Sequence, residues 1–387
     1  MKNTLLRLVP GPPDWTVSWD ALEQTCFGAL SPQMAVTPQD PFYHGEGDVL
    51  AHTKLVCEAL AGLEEFRGLD ERERQAVFLA ALFHDVGKTR CTRQEEGRWA
   101  APHHAAAGAG MARELLWLDC GWCGKPPRQT MRETVCALIR YHSLPAHAAL
   151  EADGARRLLR AAANGALLPS FTVRLLCLLS KADILGRICG DQPELLESVE
   201  LCGVLAEELG CLDGPRVFPS RHTGFSYFSG KLDQPSCELY DGTWGEVILM
   251  CGLPGTGKDT WIESHCPGLP VVSLDAIRAE LGISPVGPQK KVADEARARA
   301  QVLLRQKRPF IWNATSVTAD LRRRQVELFT DYHASVRIVY LETDWKEERR
   351  RNAGRAAAVP ERTILRMLAK LAPPEASEAH KVEWYCV

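Results

Sequence analysis

Apolar positions along the chain follow two different periods. From Asp48 to about Ala163 they recur every three or four residues, the spacing of helices with one buried face. Over 48–63 this brings His52, Val56, Ala59, Leu60 and Leu63 near one side. Asp70 stands where an N-cap belongs, ahead of an apolar run that ends at His84-Asp85-Val86-Gly87-Lys88. Further helices are predicted over 105–118, 131–142 and 171–185, and few β-rich runs occur before Gly210. From Glu246 the pattern changes. Short apolar runs at 247–250, 271–274, 310–312 and 336–341 alternate with helical segments. Strands that alternate with helices predict a parallel α/β sheet.

The stretch between these regimes, 210–245, carries Pro215, Pro219 and Pro235 among glycines, serines and aromatics. It reads as a connector packed on the surface. Residues 1–40 bear prolines and tryptophans without a clear period and stay unassigned. The expected layout is therefore an extension (1–40), a helical domain (41–209), a connector (210–245) and an α/β domain (246–387). A length of 387 residues suits two or three domains.

Composition narrows the class. Apolar content of 45% and charged content of 25% are those of ordinary globular proteins. No apolar run reaches membrane-spanning length, and the opening MKNTLLRLVPGPPDW lacks a signal-peptide pattern. Both observations predict a cytoplasmic protein with no membrane partner. The 14 cysteines are scattered, and Cys57, Cys136 and Cys177 sit in apolar helical contexts as small hydrophobes. The lone CxxC of Cys120 and Cys123 reads as a turn rather than a zinc or redox site. Net charge is −3, unevenly spread: from Glu246 onward there are 22 Lys/Arg against 18 Asp/Glu, the remainder having 24 against 31. The C-terminal part is the side suited to a polyanion.

Candidate chemistry begins at Gly252-Leu253-Pro254-Gly255-Thr256-Gly257-Lys258-Asp259-Thr260, directly after the run Val247-Ile248-Leu249-Met250. This is the G-x-x-x-x-G-K spacing of a loop whose backbone N–H groups cradle phosphates. Gly252, Gly255, Thr256, Gly257, Lys258, Asp259 and Thr260 are the expected contacts to ATP or another NTP. Lys258 would reach the terminal phosphates. A hydroxyl residue usually follows this lysine to bind Mg²⁺; here Asp259 does, and a carboxylate is also a hard oxygen ligand. Asp275, at the end of the second strand, is the expected base for a hydroxyl acceptor. Arg278, one turn later, would hold an acceptor phosphate. Arg351 and Arg355 share a helix face at i,i+4 and would form a lid over the transferring phosphoryl. Of Arg322-Arg323-Arg324, Arg323 is the candidate for the acceptor strand, the alternative being a run that caps a surface helix.

The helical part carries a second constellation, His52, His84-Asp85 and Asp183. Such side chains can converge in a bundle to bind a divalent metal and activate water for phosphoester hydrolysis. Imidazole ligands favour Mn²⁺, Co²⁺ or Ni²⁺ over Mg²⁺. His104 and His142 are candidates for a second metal or for phosphate contacts, with His103 as an alternative to His104. Lys88 would contact a phosphate. His44 lies near the first ligand helix without an assigned role.

The segments PFYHGEGDVLAHTKLVCEAL, LAALFHDVGKTR, HHAAAGAGMARELL, IRYHSLP and LLSKADILGR together resemble the HD phosphohydrolase superfamily, over about residues 40–190. That resemblance implies metal ligation by His52, His84, Asp85 and Asp183. The segments GLPGTGKDTW, SLDAIR, WNATSV and RRRNAGRAAAVP resemble 5′-hydroxyl polynucleotide kinases of the P-loop class. In this order the halves are similar to the bacterial bifunctional RNA end-healing enzymes called HD-Pnk. The resemblance implies an all-α HD-type domain followed by an α/β P-loop kinase domain. It also implies phosphorylation of 5′-OH RNA ends, with DNA ends as the alternative acceptor, hydrolysis of 2′,3′-cyclic phosphate and 2′/3′-phosphate ends, and an RNA ligase acting downstream. The rival expectation is an HD-type nucleotide phosphohydrolase with an NTP-binding regulatory P-loop half. Asp275 and Arg278 separate the two, because a switch needs no acceptor base.

Overall fold

A computed structural model describes residues 4–284, 287–355 and 358–387. Ala356 and Ala357, within the expected lid motif, lie outside the described residues. The chain divides into two compact units, one of residues up to Trp122 with Pro127–Arg216, the other of Cys123–Pro126 with Val217–Val387.

The first unit is helical. Its centre is three helices, Val49–Gly62, Glu71–Phe83 and Val173–Leu185, each packed on the other two. Side chains of the preceding residues start them. Asp48 accepts from the Ala51 N–H, Asp70 forms a capping box with Glu73, and Thr172 accepts from the Leu175 N–H. Every residue from Ala76 to Phe83 is buried, so the second helix runs through the core and delivers His84 and Asp85 to the interior. Helices His104–Leu118 and Pro126–Tyr141 bring the remaining histidines. Close approach requires glycine here. A Cβ on Gly87 would lie 2.0 Å from the His104 carbonyl oxygen and 2.5 Å from the Gly108 nitrogen. A small hairpin, β1 (Arg93–Glu95) with β2 (Arg98–Ala100), interrupts the helical order.

The second unit holds a five-stranded parallel sheet. Its strands are β3 (Glu246–Cys251), β4 (Val271–Ser273), β5 (Phe310–Asn313), β6 (Ser335–Glu342) and β7 (Lys381–Cys386), in the order β4-β5-β3-β6-β7. β3 is central, and its buried Val247–Cys251 run explains its near-continuous apolar sequence. Four strands fall where the apolar runs predict them. β7 was not predicted. It alternates Lys381, Glu383 and Tyr385 with Val382, Trp384 and Cys386 at the sheet edge, and all six are half-buried, so its pattern is faint. The segment 210–245 contains a helix, Arg221–Phe228, capped by Ser220, with Phe225, Tyr227 and Phe228 buried. Among the described residues no helix is long and apolar enough to cross a membrane.

Candidate active sites

In the first unit the side chains of His52, His84, Asp85 and Asp183 meet in one fully buried cluster. His52 Nε2 lies 3.0 Å from Asp183 Oδ1 and 3.2 Å from His84 Nε2. Asp85 Oδ2 lies 3.3 Å from His84 Nε2 and 3.6 Å from His52 Nε2. Its other oxygen, Oδ1, faces His104 Nε2 at 3.3 Å and His142 Nε2 at 4.0 Å. That oxygen is buried without a hydrogen-bond partner. Asp85 thus stands between two donor sets, His52–His84–Asp85 and Asp85–His104–His142. His103 is exposed with φ at 61° and contributes to neither set; His104 does.

The ring orientations follow from local structure. Carbonyl oxygens one turn back hold Nδ1 of His84 (Ala81, 2.8 Å), His104 (Ala101, 2.8 Å) and His142 (Ile139, 2.7 Å). Nδ1 of His52 sits 2.8 Å from Glu46 Oε1. All four rings therefore turn Nε2 toward the cluster, the tautomer a metal ligand needs. Burial lowers His104, and it lowers His142 to about 3 with help from His84 and His104, so both stay neutral. Burial opposes the charge of His52, but Asp183 and Glu46 outweigh it and raise its pKa. Burial also opposes ionisation of Asp85 and Asp183; Lys88 and His84 for the first, Arg187 and His52 for the second, hold both carboxylates well below their usual range. Converging Nε2 atoms, ionised carboxylates and an orphaned buried oxygen fit a divalent cation.

Lys88 Nζ is anchored 2.7 Å from Asp85 Oδ2, 2.7 Å from Gln39 Oε1 and 3.4 Å from His44 Nε2. Sequence reasoning gave no role to Glu46, His44, Gln39 or Arg187. Glu46 lies within PFYHGEGDV, but only the fold brings a carboxylate six residues away onto His52.

In the second unit the loop after β3 turns through Gly252, Gly255 and Gly257 at φ of 146°, 84° and 83°, and runs into helix Lys258–His265. Only glycine adopts these angles without strain. The Gly252 N–H donates to the Thr315 carbonyl, and buried Thr256 bonds the Leu253 carbonyl, so these two shape the loop from within. Lys258 Nζ donates to the Gly252 and Leu253 carbonyls at 3.0 and 2.9 Å. Burial lowers its pKa to about 8 although Asp259 and Asp275 pull it up.

A cleft of about 410 Å³ opens over the loop. Lys258, Asp259, Thr260, Asp275, Arg278, Arg351 and Arg355 all line it. Asp275 accepts from Arg355 Nη2 at 2.6 Å and pairs with Arg278, whose Nε donates to Gln289. Burial would raise Asp275, but the Arg355 hydrogen bond and the Arg278 charge hold it below its usual range. Arg351 is tied to Glu347 at 2.7 Å, and its guanidinium would stand 3.2 Å from a Cβ on Gly257. Asp259 Oδ1 accepts from Asn313 Nδ2 at 2.6 Å at the end of β5. Asn313 stands in WNATSV but was given no role. Positive-φ glycines, the lysine and an oxygen donor beside it fit a nucleotide phosphate with Mg²⁺.

One candidate is misplaced. Arg323 is on the exposed side of helix Ala319–Asp331, paired with Asp320 and Glu327, and does not line the cleft. Its neighbour Arg322 is buried and bidentate to Glu378 at 2.6 and 2.7 Å, a structural ion pair. In a helix of this register, consecutive arginines point apart by about 100°.

A family model of the HD domain matches residues 49–186, and a model described as an AAA domain matches 247–374. The chain carries an HD domain followed by a P-loop domain of the AAA type. Heterogeneous nuclear ribonucleoprotein U-like protein 2 of Mus musculus and of Homo sapiens are each 29% identical to it over 148 residues, 34% of this chain. The chain spans about a fifth of their length. A solved structure of a presumed kinase from Chloroflexus aurantiacus, 18% identical, aligns to 37% of this chain and 86% of its own with a TM-score of 0.31.

Proposed function

We propose that this protein heals broken RNA ends. The P-loop half transfers the γ-phosphoryl group of ATP to a 5′-OH end, and the HD half removes 2′,3′-cyclic phosphate and the monophosphate it leaves. The observation that carries the reading is Asp275. An ionised carboxylate, held by Arg355 and Arg278, lines the same cleft as Lys258. A regulatory NTP switch has no use for an acceptor base there.

In the kinase half, Lys258 leaves its loop carbonyls for the phosphates, and Asp259 with Thr260 holds Mg²⁺. Asp275 orients the 5′-OH and takes its proton as the oxygen attacks. Arg278 grips the neighbouring phosphate, while Arg351 and Arg355 offset charge on the transferring group. In the HD half, a divalent cation such as Mn²⁺, Co²⁺ or Ni²⁺ supplies Lewis-acid stabilisation and makes water nucleophilic near neutral pH. His52, His84, Asp85 and Asp183 hold it, with His104 and His142 completing a second position. Lys88 binds a phosphoryl oxygen. Water adds to phosphorus, one P–O ester bond breaks, and the ribose oxygen leaves with a proton. The ribonucleoprotein name of the two curated relatives agrees with an RNA partner. The products, a 5′-phosphate and a free 3′-OH, are what a separate RNA ligase would seal.

The test separates the halves. Asp275→Ala is expected to lower 5′ phosphorylation at least about 100-fold and to leave cyclic-phosphate removal intact. His84→Ala with Asp85→Ala should do the reverse. Loss of both activities in either folded variant would refute two independent sites.

A further inference from the structure

The loop that supplies the metal cluster's outer contacts also carries an exposed aromatic pair. It is closed at its base by pairing of Pro38 with Asp48. Asp40 organises its turn, accepting from the N–H groups of Phe42 through its side chain and of Tyr43 and His44 through its carbonyl. Inward, it delivers His44 and Glu46, whose Nδ1 and Oε1 lie 2.8 Å apart against His52 and Lys88. Outward, it presents Phe42 and Tyr43, 66% and 43% exposed, edge to face at 4.8 Å between ring centroids. The loop is fastened beside Asp183 as well. The Gly45 N–H donates to the Ile188 carbonyl, and the Ile188 N–H donates to Glu46 Oε2. Ile188 is itself 61% exposed and follows Arg187, which pairs with Asp183.

Single exposed apolar residues need no explanation. A fixed pair of rings on the loop that contacts the cluster is different. Tyr43 is the chain neighbour of His44, so its Cα stands about 3.8 Å from that of a residue touching Lys88. A loop with two backbone anchors and a third through the Glu46 carboxylate holds the rings at little entropic cost on binding.

We infer that Phe42 and Tyr43 form the stacking platform for the nucleobase next to the phosphate hydrolysed in the HD site. The inference rests on the polynucleotide reading above and sharpens it: the site selects a nucleotide end over a bare phosphoester. Every base has a π-face, so the platform tolerates any terminal base. The loop then acts as one recognition unit, its inner residues setting Lys88 for the phosphate and its outer rings receiving the base.

The experiment compares two substrates of the full-length protein with Mn²⁺, an oligonucleotide ending in 2′,3′-cyclic phosphate and glycerol 2-phosphate, which carries neither a base nor any other ring to stack. The readout is the ratio of their kcat/KM values. Phe42→Ala with Tyr43→Ala is expected to lower this ratio about 5- to 150-fold, the range of base–aromatic stacking. Phe42→Leu with Tyr43→Leu keeps apolar bulk without the π-face and should lower it comparably. Phe42→Tyr should restore it. An unchanged ratio overturns the inference, whether both activities fall together or neither does, and thermal unfolding shows which of these reflects a damaged loop. If leucine preserves the ratio while alanine lowers it, apolar packing and not stacking reads the substrate, which also overturns it. The polynucleotide reading fails separately, when the wild-type protein cleaves glycerol 2-phosphate and leaves the oligonucleotide intact.

Discussion

Side-chain placements set by local spacing can be read along the chain, and those set by a distant partner cannot. The glycines and Lys258 of the loop announce themselves because one short turn contains the positive-φ positions and the lysine that folds back on them. His84-Asp85 is legible as a pair. Glu46 and Asn313 are not, since each matters only through a side chain that the fold brings to it, His52 in one case and Asp259 in the other. Arg323 shows the opposite failure: a basic run is visible, but which member faces inward depends on helix register. Arg323→Ala is accordingly expected to change phosphorylation less than about twofold and stability by less than about 0.5 kcal/mol. Arg278→Ala should raise KM for a 5′-OH oligonucleotide about tenfold or more, through loss of a charge-assisted contact; steady-state kinetics checks both. Glu348 was also invisible. It is fully buried beneath the loop, both oxygens lack hydrogen-bond partners, and burial raises its pKa to about 8, with Glu342 adding to the rise and Lys258 opposing it. The folded state therefore binds the proton more tightly than the unfolded chain, so stability from this group is present at low pH. It is lost as pH rises from about 4.5 to about 8, at up to roughly 1.4 kcal/mol per pH unit. Glu348→Gln should lack that loss, and the gap between the two melting temperatures should widen over this range. A constant gap would mean Glu348 ionises without penalty.

At the level of elements, periodicity and caps were sufficient for the helices Val49–Gly62, Glu71–Phe83, His104–Leu118, Pro126–Tyr141 and Val173–Leu185 and for four of the five sheet strands, but the helix Gln192–Glu208 was not singled out. Asp48, Asp70 and Thr172 cap the helices that build the metal cluster, and the first two are readable as helix starts. β7 and the helix Arg221–Phe228 escaped notice for physical reasons. In the edge strand, Tyr385 among the polar positions blurs a short alternation whose apolar side is Val382, Trp384 and Cys386, and proline-rich flanks mask a helix of eight residues. What the pattern could not give is how close elements approach. Gly87 against His104 and Gly108 lets the backbones meet closely, and that contact brings His104 to Asp85. Gly87→Ala is expected to cost about 1–3 kcal/mol through overpacking. It should also lower bound Mn²⁺ per chain, measured by elemental analysis of the folded fraction. Full retention of metal would show that the approach does not position the ligands.

For the whole molecule, the order of a helical HD domain and an α/β P-loop domain was legible because the hydrophobic period changes once, near Glu246. The surplus of four positive charges from Glu246 onward is in the direction the proposed polyanionic substrate requires, and it is small. The choice of substrate lies outside what period and composition encode. In the proposed reading it rests on Asp275 and its two arginines on one side, and on the cluster around Asp85 on the other. The most direct measurement uses one RNA oligonucleotide with a 5′-OH and a 2′,3′-cyclic phosphate, incubated with the protein, ATP, Mg²⁺ and Mn²⁺, with both ends read by mass spectrometry. End healing predicts gain of a 5′-phosphate and loss of the cyclic phosphate on the same strand. Both ends untouched while free nucleotide is consumed would contradict it and leave a nucleotide phosphohydrolase in its place.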